Sequence, residues 1–518
     1  MVGGGWQRAL ASGFCGSGCA HARSFARPLI LSGLLFASAV LSGCAVGPDF
    51  KPQAPPETSK YLAGPAADRV PGHPLVHDAE IPPQWWELFR SPALNRIAED
   101  GIAHNADLAA AEAAVRVAQA NALAQRGALF PSVTGDFESS RQKVAVDLSS
   151  PLESGANIFN LHTGQVTVSY IADVWGGTRR LVESADAQAE MRAFQREGVY
   201  LTLASNIALA AIEEGRLRGQ IAATHRVIDL QSEVLKLLKR QQEQGQIALT
   251  DVAAQETAVS QTRLLLPPLE RQLAQQRHLL TFLTGRLSSD APAETFNLGS
   301  FRMPRRLPLS LPADLVRQRP DIRAAEANLR STNAMIGVAI ANRLPQISLT
   351  GNVGAAAARF TQLATPGAGL WTLAGNAAQT IFDAGTLENK QVAAEEETNQ
   401  ALAQYRSAVL AAFQNVADVL RALQAGTRAI SAATDAQRSA SESLVLLRKQ
   451  VDQGQISVPL LLAAQQAYLQ TSLARLDAQA SQLANTVALF QALGGGWWNR
   501  ADSGKFDQST SGPEARRT

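Results

Sequence analysis

Two stretches of this chain, residues 177–244 and 385–453, run for about 68 residues each without a proline. At a rise of 1.5 Å per residue, each predicts a helix roughly 100 Å long. Helices so far beyond the usual length of about 10–14 residues outgrow a globular core and belong in a coiled-coil-like assembly or a helical tube. The composition agrees with this. Aromatic residues are only 6% while Ala, Gln and Ser abound, and Ala and Gln favour helix while small side chains let helices approach closely. A compact enzyme does not fit such a pattern.

The long stretches are two because the chain is written twice. Asp107-Leu-Ala-Ala-Ala-Glu112-Ala matches Asp321-Ile-Arg-Ala-Ala-Glu326-Ala, and Pro131 and Pro345 keep the same offset. Gln244-Gly-Gln-Ile247 recurs as Gln453-Gly-Gln-Ile456, and Leu283-Thr-Gly285 as Ala492-Leu-Gly494. The expected organisation is therefore a first repeat over 85–285, a connector over 286–311 that holds Pro292, Pro304 and Pro308, a second repeat over 312–494, and a tail over 495–518. Each repeat reads as helix, two strands, long helix and final helix. The first has strands at 131–145 and 163–175 and helices at 177–244 and 249–285; the second has strands at 345–358 and 369–382 and helices at 385–453 and 459–493.

The strand assignments rest on alternation. Val133, Gly135 and Phe137 alternate with Thr134, Asp136 and Glu138, and Val166, Val168, Tyr170 and Ala172 alternate with Thr167, Ser169 and Asp173. Ile347, Leu349, Gly351 and Val353 repeat the pattern, followed by a weaker run over 370–381. A period of two gives each strand one apolar and one polar face. Four strands are too few to close a barrel, and an open sheet exposes edges that pair with whatever they meet. Three copies would supply twelve strands, enough for a closed barrel with a polar lumen, the one β-structure that satisfies every backbone group in a bilayer. A soluble four-stranded sandwich is the alternative, and it leaves the helix lengths unexplained.

Lys and Arg number 47 against 45 for Asp and Glu, so the charge of +2 gives no general attraction to nucleic acid. No apolar run after residue 44 is long enough for a transmembrane helix. Residues 1–43 have the layout of a secretory signal, with Arg8, Arg23 and Arg27 ahead of an apolar run that starts at Leu29. The run ends in Leu41-Ser42-Gly43-Cys44, which resembles a bacterial lipobox and implies a lipid on Cys44. The resemblance to bacterial lipoproteins further implies the outer membrane, because Ala45 and not Asp follows the cysteine. Residues 44–84 carry many prolines and read as an extended, lipid-anchored arm.

Together these features resemble the TolC-like outer-membrane factors, specifically the efflux lipoproteins of tripartite RND-type systems. Carrying the resemblance are Cys44-Ala-Val-Gly-Pro-Asp-Phe-Lys-Pro52, Trp85-Trp-Glu-Leu-Phe89, Val168-Ser-Tyr-Ile-Ala-Asp-Val-Trp-Gly-Gly177, Leu311-Pro-Ala-Asp-Leu-Val-Arg-Gln-Arg-Pro-Asp-Ile322, Ile381-Phe-Asp-Ala-Gly385 and Ala492-Leu-Gly-Gly-Gly-Trp497. The resemblance covers essentially the whole mature chain. It implies a mainly α protein with a transmembrane β-barrel part: a homotrimer whose twelve-stranded β-barrel continues into a twelve-helix periplasmic α-barrel. It also implies as partners a periplasmic membrane-fusion adaptor, an inner-membrane RND-type transporter and outer-membrane lipid.

The resemblance makes Gly245 and Gly454, in the turns of the two helical hairpins, the adaptor-contact tip, with plain helix termination as the alternative reading. Relatives often place Arg four residues before this Gly, and here Gln241 and Gln450 stand there. Asp251 and Asp452 are the candidate tip acids, read either as a charged constriction or as solvated helix surface. Tyr170, Trp175, Trp371 and Phe382 are candidate interfacial anchors. The seven His residues are scattered, and neither a nucleotide loop nor a nucleophile elbow occurs, so the sequence implies no cofactor, no metal and no enzyme activity. The expected function is a passive exit duct for small molecules. A protein-secretion duct and a lipid-anchored coiled coil without a pore are the alternatives.

Overall fold

The computed structural model describes residues 45–58, 60–62, 74–77, 80–145, 147, 155–304, 306–452 and 458–500. In the first half, Ser91 accepts the Leu94 N–H and Pro92 occupies the first turn, which starts α1 (Pro92–His104). Asn105 then interrupts the single helix that the periodicity predicts: its backbone is extended and its Oδ1 caps α2 (Ala106–Gly127) by accepting the Leu108 N–H at 3.0 Å. Pro131 stops α2 and leads into β2 (Ser132–Lys143), which turns back as β3 (Ile158–Ala172). Helix α3 (Gly177–Glu243) starts where both Asp173 carboxylate oxygens accept N–H groups, from Thr178 at 2.9 Å and Arg179 at 3.0 Å.

The chain reverses at Gly245 into α4 (Leu249–Arg263) and α5 (Leu266–Leu283). One helix was expected over 249–285, but Pro267 and Pro268 supply no N–H for the preceding turn, and the helix breaks at Leu264 and Leu265. The second half repeats the order as α6 (Pro312–Gln318), α7 (Pro320–Ala341), β5 (Gln346–Ala357), β6 (Gly369–Ala378), α8 (Thr386–Asp452) and α9 (Val458–Ala492). Short strands β1 (Leu75–His77) and β4 (Leu307–Leu309) pair in parallel, so the arm, expected to be extended, is tied to the connector.

Toward the sheet, α7 fills the groove between α3 and α8; toward the hairpin turns, α9 takes that place. The main core lies midway, where Trp85, Trp86, Phe89, Ile207, Leu307 and Phe490 are fully buried. Trp85 stacks on Phe490 with ring centroids 5.3 Å apart. A second core at the hairpin end joins Val234, Leu238, Val252, Leu444, Val451 and Leu461.

Candidate functional site

The four long strands form one antiparallel sheet in the order β2-β3-β5-β6, with no bulge in the described register. Because the register is unbroken, the alternation of each strand adds up to two unlike faces. Val133, Val168, Gly351 and Leu373 lie in one row, and Gly135, Val166, Val353 and Trp371 in the next. The row between them on the other face is Thr134, Thr167, Asn352 and Thr372. Among the described residues nothing covers the apolar face: Leu373 and Trp371 are each 77% exposed and Val133 is 66% exposed.

On β5 this face runs from Ile347 to Ala355, about 27 Å along the strand. At a barrel-like tilt of about 40° that is a height of about 21 Å, near the apolar band of about 25 Å on a transmembrane barrel. Among the described residues, strands β2 and β6 each keep one edge unpaired.

The strand bounds differ from expectation at two places. Strand β3 starts at Ile158, opposite Lys143 and ahead of the expected 163; Ile158-Phe159-Asn160 does not alternate cleanly and so leaves no period-two signal in the sequence. Strand β6 ends at Ala378, opposite Gln346 where β5 begins, so the alternating residues beyond it have no ladder to join. Phe382 therefore lies past the strand, 87% exposed, while Tyr170 and Trp371 lie on the apolar face. Trp175 sits at the foot of β3 and donates its indole N–H to the Pro345 carbonyl at 2.8 Å.

At the opposite end, Gly245 has φ of 70° and the Gln246 N–H returns to the Gln241 carbonyl at 2.9 Å, a helix-terminating turn that needs a left-handed residue. Open space surrounds Gly245. Asp251 lies in the first turn of α4. Asp452 is the last residue of α8, and Gly454 falls outside the described residues, as does Cys44. Near this end Lys239 pairs with Glu256 at 2.6 Å within the first hairpin, and Arg448 of α8 pairs with Glu233 of α3 at 2.6 Å between the two hairpins.

Residues just after Cys44 are held at the foot of the sheet. The Val46 N–H donates to the Trp175 carbonyl at 2.9 Å, and buried Arg180 donates to the Val46 and Gly47 carbonyls and to Asp49. A Cβ on Gly176 would lie 2.6 Å from the Ala45 Cα, so this close approach requires glycine. The sequence singled out neither Arg180 nor Gly176 as a docking site for the arm. Its visible signal was only the Trp175-Gly-Gly177 motif.

A sheet that is apolar on one face and polar on the other, continued by paired helices of 67 residues each, has the make-up of a subunit of an outer-membrane channel. The model of the outer membrane efflux protein family matches residues 98–286 and again 311–495, one match per repeat, and the chain belongs to that family. The pyoverdine export outer membrane protein OpmQ of Pseudomonas putida is 31% identical over 427 residues, which cover 81% of this chain and 89% of the relative. The toluene efflux pump outer membrane protein TtgC of Pseudomonas putida is 28% identical, with 92% and 97% covered.

Among solved structures, the outer-membrane channel OprN aligns at a TM-score of 0.78 with 25% identity, covering 88% of this chain and all of that one. The Campylobacter jejuni CmeC outer membrane channel shares the fold at a TM-score of 0.82 and 20% identity, covering 90% and 98%. The protein is thus an outer-membrane component of an efflux system, extending into the periplasm, in a family of ducts and not of enzymes.

Proposed function

We propose that three copies of this chain close into one conduit, a twelve-stranded barrel in the outer membrane continued by a twelve-helix tube, through which small molecules leave passively. The observation that carries this reading is the uncovered apolar face on a sheet with two open edges. Exposed to water, such a face and such edges are an aggregation hazard; closed into a ring within lipid, both are satisfied. Strands β2 and β5 run away from the helices and β3 and β6 return, so β6 of one copy meets β2 of the next antiparallel. The alternation continues around the ring.

In this reading Cys44 carries the lipid, and the Ala45 to Asp49 segment fixes that lipid beside the sheet. Gly245 and Gly454 form the surface that meets a periplasmic adaptor, with an inner-membrane RND-type transporter supplying the energy. Asp251 and Asp452 line the approach to the tip. The names of the relatives, which export pyoverdine and toluene, support a small-molecule cargo over a protein one.

Purified protein in planar bilayers tests the conduit. Discrete conductance steps are expected, enlarged when the ion pairs Lys239–Glu256 and Arg448–Glu233 are removed together. A protein that inserts but never conducts, even in that variant, sinks the duct and leaves the anchored coiled coil. Co-purification with the neighbouring adaptor and transporter, lost on Gly245→Trp, tests the tip.

A further inference from the structure

Above the apolar band the outward face changes character. The unbroken register of β2 places Ser139, Arg141 and Lys143 on the same face as Val133 and Phe137, opposite His162, Asn160 and Ile158 of β3. Asp136 and Glu138 fall on the other face. One strand thus sorts its charges by pleat, acids toward the lumen and bases toward the outside. The boundary is aromatic: Phe360 folds back against Phe137, ring centroids 6.0 Å apart, and against His162 at 6.2 Å. Aromatic rings collect at the level where hydrocarbon gives way to headgroups.

Arg141 and Lys143 lie four and six residues beyond Phe137, about 10 and 15 Å higher at a rise of about 3.4 Å per residue and a tilt of about 40°. Their flexible stems let the charged ends reach back toward the band. Both are exposed, and among the described residues neither forms an ion pair, not even with Asp147 just beyond the strand.

We propose that Arg141 and Lys143 form an outward-facing belt that binds phosphate-bearing lipid headgroups at the distal surface of the outer membrane. The proposal rests on the membrane-embedded barrel described above. Position and charge select this occupant: the apolar band fixes where headgroups must lie, and two cations per subunit stand at that level with no acid beside them on the face among the described residues. The belt would hold anionic lipid around the barrel and fix its depth.

The test is reconstitution into phosphatidylcholine vesicles with and without one-fifth of a diphosphorylated diglucosamine glycolipid. Lipids retained per protein are counted by native mass spectrometry, and conductance is recorded in the same mixtures. The intact protein is expected to retain the phosphorylated lipid preferentially. Arg141→Ser with Lys143→Ser should cut that preference at least tenfold, given about fivefold per cation at an anionic surface, with conductance kept. Asp136→Asn with Glu138→Gln, on the lumen face, should leave it unchanged. An undiminished preference in the double Ser variant overturns the belt, and so does equal competition by free inorganic phosphate, which would mark a soluble-anion site. Absence of conductance in every mixture, with both tip ion pairs removed as well, would strike the barrel reading itself, whereas conductance without lipid preference strikes only the belt.

Discussion

The same joint is built twice from different residues. In the first repeat Asn105 donates its amide N–H to the Leu283 carbonyl at 3.1 Å; in the second, Arg319 donates to the Ala492 carbonyl at 3.1 Å. Each satisfies a carbonyl left over at the end of the repeat's last helix. Gly285 and Gly494 follow, with φ of 71° and 89°, and a Cβ on either would lie 2.1 Å from the His104 carbonyl oxygen or 2.5 Å from that of Gln318. Gly285→Ala and Gly494→Ala are each expected to destabilise the protein by about 2–4 kcal/mol, left-handed strain plus displaced backbone. Gly245→Ala, with open space around it, should cost only about 1 kcal/mol. Thermal unfolding of the detergent-solubilised variants checks the order, and equal losses at all three would refute it. Asn105→Ala strands both the Leu283 carbonyl and the Leu108 N–H, so a loss of about 1–3 kcal/mol is expected in the same assay. In the sequence the glycines and the shared offset were visible, but the joint was not, because Asn and Arg share no chemistry beyond an N–H that reaches a carbonyl.

At the scale of elements, what was legible follows from what repeats. Alternation announced both strand pairs, and the absence of proline announced both long helices, since each signal is summed over many residues. The breaks in the shorter helices at Asn105 and Leu264, and the pairing of Leu75–His77 with Leu307–Leu309, depend on a cap, a proline pair and a partner more than 200 residues away. None of these leaves a periodic trace. The tip reads poorly for a related reason: Gly245 signals a turn, but which charged groups bridge the hairpins depends on how α3, α4 and α8 sit side by side. The sheet's faces give a sharp comparison between neighbours on β6. Leu373→Arg puts a charge on the apolar face at a cost of about 2–4 kcal/mol if that face meets lipid, so it should block insertion into outer-membrane vesicles. Thr372→Arg, one residue away on the polar face, should insert normally and lower cation conductance. Equal behaviour of the two would mean that neither face meets lipid.

For the whole molecule, duplication and closure are one problem. The two repeats lie side by side with β3 against β5, so within a chain the first strand pair already meets the second as it would meet a copy of itself. A second interface of this kind, β6 against the next copy's β2, is all that a ring requires, and the trimer becomes six similar units. Cross-linking can count them. The sequence holds only Cys15, Cys19 and Cys44, the first two in the expected signal segment, so cysteines introduced on the edge strands would be the only reactive pair if Cys44 carries lipid. Val133→Cys on β2, combined in turn with Leu373→Cys, Gly375→Cys and Ala377→Cys on β6, should in one combination yield linked dimers and trimers in intact cells on mild oxidation. A geometric disulfide needs Cα atoms within about 7 Å, which adjacent strands provide and separate barrels do not. A ladder that stops at three establishes closure; one that continues past three means open-ended pairing of edges, and linked monomers mean a sheet that closes on itself.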